Sequence, residues 1–146
     1  MKLAICVPSG EMVYAKFNGD MMALCVETTL RRQQAGIEDL TIIPVQATYS
    51  PMTRELIAEC AVKWGATHLF WVDADMRFPS DAALRLLKNK DKALIGANYP
   101  IRSAASTPTT FKKLGLPKLF LYTTPDSTGI EPVASIGFGL CLMRTD

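Results

Sequence analysis

The chain has 146 residues, 49% of them hydrophobic and 21% charged, the composition of one globular domain rather than a disordered segment. Sixteen Lys and Arg against fourteen Asp and Glu leave a net charge of +2, too balanced for affinity built on a nucleic-acid backbone. Apolar stretches such as Leu69 to Val72 and Leu140 to Met143 fall far short of the ~20 residues of a membrane span.

Lys2 to Val7 reads as a buried strand, closed by the breaker group Pro8-Ser9-Gly10. The run meets Pro8 too early to be a signal peptide, so a soluble, cytoplasmic protein is expected. Asn18 or Asp20 caps a helix through about Gln34, with Met21, Leu24, Cys25 and Thr28 at helical spacing and Gly36 as its stop. Leu40 to Val45 is the next strand, and Pro44 suggests an edge or a bulge. Ser50-Pro51 opens a second helix whose apolar face is Leu56, Ile57, Cys60, Ala61 and Trp64, ended by Gly65. His68 to Val72 is the most hydrophobic strand, apolar almost without alternation, as when both faces are covered. Pro79-Ser80-Asp81 starts a third helix with Leu84, Leu86 and Leu87, and Ala93 to Ala97 is a fourth strand.

This order predicts an α/β fold with a mostly parallel sheet in a three-layer α/β/α sandwich. After Tyr99 the texture changes: Ser103 to Thr110 is rich in Ser, Thr and Pro, and Lys112 to Asp126 mixes Pro and Gly with aromatics. Loops and short antiparallel pieces are expected there, followed by Val133 to Ile136, a Gly137-Phe138-Gly139 turn and the apolar Leu140 to Met143. Cys6, Cys25, Cys60 and Cys141 lie far apart among apolar neighbours, so reduced core thiols are expected rather than disulfides or a metal knot.

The sharpest chemical signal is Trp71-Val72-Asp73-Ala74-Asp75-Met76. Two carboxylates one residue apart leave the carboxyl end of the most buried strand, and in extended chain residues i and i+2 face one side. Open α/β sheets bind ligands at that end of their strands. Two like charges held together raise each other's proton affinity unless a cation intervenes. A hard divalent ion, Mg²⁺ or Mn²⁺, with phosphate oxygens completing its shell, suits such a pair. The alternative is that one Asp caps a turn and the other is solvated.

Residues 2–9 (KLAICVPS), 65–79 (GATHLFWVDADMRFP), 93–99 (ALIGANY) and 135–146 (SIGFGLCLMRTD) together resemble a GT-A glycosyltransferase of the family-2 type, a group with many phage and bacterial members. The resemblance implies a single GT-A-like domain over 1–146, with nucleotide-binding βα units in 1–99 and an incomplete acceptor side in 100–146. It implies a nucleotide-diphospho-sugar donor, a UDP- or GDP-sugar, and an acceptor such as a glycan, a protein or a modified base. Val7, Pro8, Ser9 and Glu11 would embrace the nucleotide, and Arg54 would lie near the nucleotide or its phosphates. Asp73 and Asp75 would hold Mn²⁺ or Mg²⁺ against the diphosphate, with Gly137 in a turn beside the donor sugar or acceptor.

The sequence departs from that family in three places. Gln46-Ala47-Thr48 stands where an Asp commonly binds the base, no downstream acidic pair supplies a catalytic base, and the only His is His68. Asp146 and Glu131 are the late acids near the glycine turn, and neither has the context of a base. Two other readings stay open. One is a non-catalytic nucleotide-sugar-binding module. The other is a haloacid-dehalogenase-like phosphatase, against which Arg77 stands where that motif has Thr or Val and the motif follows two βα units.

Overall fold

The computed structural model describes residues 1–46, 50–101, 106–115, 117–124 and 126–146. In chain order the elements are β1 (Lys2–Ser9), α1 (Ala15–Leu30), β2 (Asp39–Gln46), α2 (Ser50–Trp64), β3 (His68–Val72), α3 (Ala82–Leu87), β4 (Leu94–Gly96), β5 (Phe111–Lys113), β6 (Leu119–Phe120) and β7 (Leu140–Arg144). They fall into two compact units, Met1–Ile95 with Gly139–Asp146, and Gly96–Phe138.

The first unit is built on a five-stranded sheet of order β2-β1-β3-β7-β4. β1 runs parallel to β2 and to β3, whereas β7 runs antiparallel to β3. Leu3 to Val7 on β1 and Leu69 to Val72 on β3 are all buried, so these central strands are covered on both faces. β2 lies at the sheet's edge, where Pro44 needs no ladder partner on its outer side, and its residues are exposed or only half-buried. α2 packs on β1 and β2, α1 on α3, and α3 on β7. The buried stripe of α1 is Phe17, Met21, Leu24 and Thr28, three to four residues apart. α2 buries Thr53, Ile57 and Ala61 at four-residue spacing and ends in a Schellman motif: the Ala66 N–H reaches the Ala61 carbonyl (3.0 Å), the Gly65 N–H reaches Val62 (2.9 Å), and Gly65 has φ +85°.

The expected mostly parallel, three-layer α/β/α sandwich is not what forms. The sheet is mixed, a second two-stranded sheet pairs β5 with β6 antiparallel, and the described residues hold three helices, one of them only six residues long. The cause is where β7 enters. The Asp73 N–H donates to the Gly139 carbonyl at 3.0 Å, Val72 pairs with Leu140, and the strand then runs back until His68 faces Arg144. A strand that enters at the end where β3 leaves must run opposite to it, and such a pairing needs no crossover helix.

Local expectations also shift. α1 starts one turn early, with Tyr14 as its N-cap, so neither Asn18 nor Asp20 caps it. Leu56 and Cys60 are exposed, because α2 turns Thr53 rather than Leu56 toward the sheet. Cys25 and Trp64 are half-buried, and the Lys2 ammonium lies 4.3 Å from the centre of the Trp64 ring.

In the second unit the Phe111 and Phe120 rings sit 4.6 Å apart, and the Thr109 N–H donates to the Tyr99 carbonyl at 2.9 Å. Ser135 makes a single antiparallel bridge to Phe111. Residues 103–105 of the Ser/Thr/Pro-rich stretch lie outside the described residues.

Candidate functional site

β1, β2 and β3 are parallel, and the chain goes from β1 to β2 on one side and then to β3 on the other. This reversal opens a crevice beyond the carboxyl ends of β1 and β3. A cleft of about 300 Å³ lies there, lined by Pro8, Ser9 and Gly10 after β1, Met12 and Tyr14 ahead of α1, Thr53 and Arg54 on α2, and Asp73, Ala74 and Asp75 after β3. That volume is at the lower bound of small-molecule sites. Because α1 and α2 each follow a parallel strand, both bring their N-terminal turns to the cleft, where the positive end of the helix dipole favours an anion.

Arg54 Nη2 donates to Asp73 Oδ1 at 2.5 Å, and both side chains are about two-thirds covered, with exposures of 28% and 31%. Burial pushes the Asp73 carboxyl above its ordinary value; the Arg54 charge and hydrogen bond oppose the rise, and the Asp75 charge adds to it. The pair of acids therefore favours a positive partner, of which Arg54 supplies one. Beneath them the Cys141 thiol is pushed up to about 12, mainly by burial and further by the Asp73 charge.

Of the residues singled out from sequence, the structure gathers Pro8, Ser9, Arg54, Asp73 and Asp75 in this cleft. Val7 is a buried β1 residue, and exposed Glu11 stands between two lining residues without lining the cleft itself. Gly137 belongs to the second unit, where a Cβ would come within 2.5 Å of Tyr99 Oη and 2.6 Å of Thr109 Oγ1, so close packing alone accounts for the glycine. Ala47 and Thr48, at the position of the absent base-binding Asp, lie outside the described residues. Asp146 is bonded by Arg144 (Nε to Oδ1, 2.8 Å), two residues past the strand end paired with His68 and so at the far end of β3 from Asp73. Glu131 pairs with Lys112 at 3.2 Å within the second unit. His68 meets Thr67 Oγ1 at 3.0 Å and the Lys90 carbonyl at 3.1 Å, which occupies both ring nitrogens.

Sequence reasoning missed Met12, Tyr14 and Thr53. Starting α1 one turn earlier would have brought Tyr14 to the loop after β1, and Thr53 is the buried neighbour of Arg54 on α2.

The donor set suits a divalent cation bound together with a phosphate ligand. Asp73 and Asp75 offer hard oxygens, and among the described residues no group of three or more His, Cys, Asp or Glu is placed to enclose an ion. Mg²⁺ is typically held by one or two carboxylates plus substrate phosphates and water, which is what two carboxylates in an open cleft provide.

No protein-family model matches the chain. No curated protein matches it in sequence. In fold it is similar to the crystal structure of A197 from STIV, with a TM-score of 0.60 and 12% identity over 99% of this chain. The chain spans 65% of the length of A197, and at that identity the likeness is one of fold alone. Among the described residues no helix is long and apolar enough to cross a membrane.

Proposed function

We propose that the chain is the donor-binding part of a metal-dependent glycosyltransferase, acting on a nucleotide-diphospho-sugar and an acceptor hydroxyl. The observation that carries the reading is the convergence of Arg54, Asp73 and Asp75 in one cleft at the carboxyl ends of adjacent parallel strands, between two helix N-termini. Asp73 and Asp75 hold Mn²⁺ or Mg²⁺ against the donor diphosphate, which also draws the Arg54 guanidinium. The ion supplies charge stabilisation to the departing diphosphate. Pro8, Ser9 and Tyr14 line the side of the cleft that takes the nucleoside, and the N-terminal turns of α1 and α2 favour its negative charge. The acceptor is a glycan, a protein or a modified base. We place the activity in the cytoplasm, in keeping with four free thiols.

Calorimetric titration of UDP and of GDP, with and without Mn²⁺, on the wild type and Asp75→Asn tests the reading. Binding that needs both the metal and Asp75 supports it. Absence of binding by either nucleotide under every metal condition refutes it, and metal-dependent binding with no transfer of a donor sugar would favour the non-catalytic module.

A further inference from the structure

The turn that carries both acids is tied to α1 by two different contacts, one at the Asp20 carboxylate, which also accepts from the Phe78 backbone N–H, and one at the Phe17 ring. Arg77 grips Asp20 with two donors, Nε to Oδ2 and Nη2 to Oδ1, the second at 3.2 Å. One residue further, the Phe78 ring meets Phe17 edge-on, with centroids 6.0 Å apart at 82°. Phe17 and Asp20 are three residues apart and so share one face of α1, and Arg77 and Phe78 follow Asp75 directly after Met76.

The two contacts do different work. The rings are buried, Phe17 at 2% and Phe78 at 8% exposure, and bury apolar surface in the ordinary way. Arg77 is 59% exposed, so the core does not require it. A guanidinium holding a carboxylate through two donors fixes direction as well as distance, which an edge-on ring contact alone does not. The acidic turn is closed on itself by the Met76 N–H donating to the Asp73 carbonyl at 3.0 Å, and anchored to β7 through Gly139. The Asp20–Arg77 fork adds a directional tie between this turn and α1, the helix whose N-cap residue Tyr14 lines the same cleft.

We propose that Asp20 and Arg77 are positioning residues that set the orientation of the Asp73–Asp75 turn against α1, and thereby the affinity of the cleft for a divalent cation held with a nucleoside diphosphate. The inference rests on the donor-site reading above. Neither residue is among those lining the cleft, and both would act through Asp75. Groups that orient metal ligands from outside the first layer are typically worth 10–100-fold in metal affinity. An exposed ion pair contributes little to global stability, so the pair's loss registers in binding rather than in folding.

The experiment is titration of UDP, GDP and Mn²⁺ into the wild type, Asp20→Asn, Arg77→Gln and the charge-exchanged double variant Asp20→Arg/Arg77→Asp, with thermal unfolding in parallel. The nucleotide that binds the wild type more tightly in the presence of Mn²⁺ is carried forward. Each single variant is expected to weaken its Mn²⁺-dependent affinity by about tenfold or more. Affinity without metal and the melting temperature should stay close to wild type, and the double variant should recover most of the loss. A merely structural pair would move the melting temperature and both affinities together. If the wild type shows metal-dependent binding and the single variants match it, or the double variant is as weak as the singles, the positioning inference falls and the donor reading stands. If the wild type binds neither nucleotide at any metal concentration, the donor reading falls and takes this inference with it.

Discussion

Replacing Arg54 by alanine isolates the electrostatics of the cleft. The mutation removes the cation held 2.5 Å from Asp73 and leaves a carboxylate only 31% exposed beside Asp75. Removing one partner of a fully buried pair costs about 3–5 kcal/mol, and breaking an exposed pair costs about 0.2–1 kcal/mol. A pair that is two-thirds covered falls between these limits, so Arg54→Ala should lose about 2 kcal/mol at neutral pH, a fall in melting temperature of about 4–8 °C. The pH dependence has a definite sign. With Arg54 present the Asp73 carboxyl already lies above its ordinary value, so the folded state binds its proton more tightly than the unfolded chain, and stability falls as pH rises between the unfolded and folded values. Without Arg54 the folded value moves higher still, and the window widens. The deficit of Arg54→Ala is therefore largest at neutral pH and shrinks in acid, where a protonated Asp73 needs no cation. Urea unfolding of the wild type, Arg54→Ala, Asp73→Asn and the double variant, at neutral and acid pH, measures this, and the double variant should recover part of the Arg54→Ala loss. A deficit that is the same at both pH values, or single losses that simply add, would refute the reasoning.

Other expectations follow from packing and thiol burial. Ile57 is fully buried on the face of α2 toward β1 and β2, so Ile57→Ala should lose about 2–5 kcal/mol in denaturant unfolding, whereas Leu56→Ala, one residue away and 48% exposed, should lose far less. Gly137→Ala drives a Cβ against Tyr99 and Thr109 and should cost about 1–3 kcal/mol, read as faster amide exchange across residues 96–138. Cys60 is exposed and should react with a thiol reagent at once. Cys6 and Cys141, buried and pushed up to about 12 mainly by that burial, should react only on unfolding.

The strands and helices of the first two thirds were legible because each is written in local pattern. His68–Val72 and α2 have the same limits in sequence and structure, and β1 and β2 differ by a residue or two at their ends. What the sequence did not carry was pairing. Leu140 to Met143 is plainly a strand, yet nothing in its residues tells that it lies antiparallel beside β3, and that placement overturned the parallel sandwich. Helix faces were less legible where a small polar residue packs inward: α2 buries Thr53 and leaves Leu56 out, against the order of their hydrophobicity. In the cleft, Asp73 and Asp75 stood out because two acids follow an apolar strand, and Pro8-Ser9 because a breaker follows another. Tyr14 was hidden by a helix start placed at Asn18 or Asp20. Asp20 read as a candidate helix cap and Arg77 only as a departure from the dehalogenase motif until the fold brought them together across 57 residues of sequence.

The central claim is spatial: a divalent cation binds between Asp73, Asp75 and a nucleoside diphosphate. Amide NMR spectra of the protein with UDP or GDP, recorded with Mg²⁺ and then with paramagnetic Mn²⁺, test it most directly. The account predicts that Mn²⁺ broadens Ser9, Gly10, Arg54, Ala74 and Asp75 first, and that Asp75→Asn abolishes the effect. Broadening centred elsewhere, for example on the basic hollow of Arg31, Lys88 and Lys90, would contradict it.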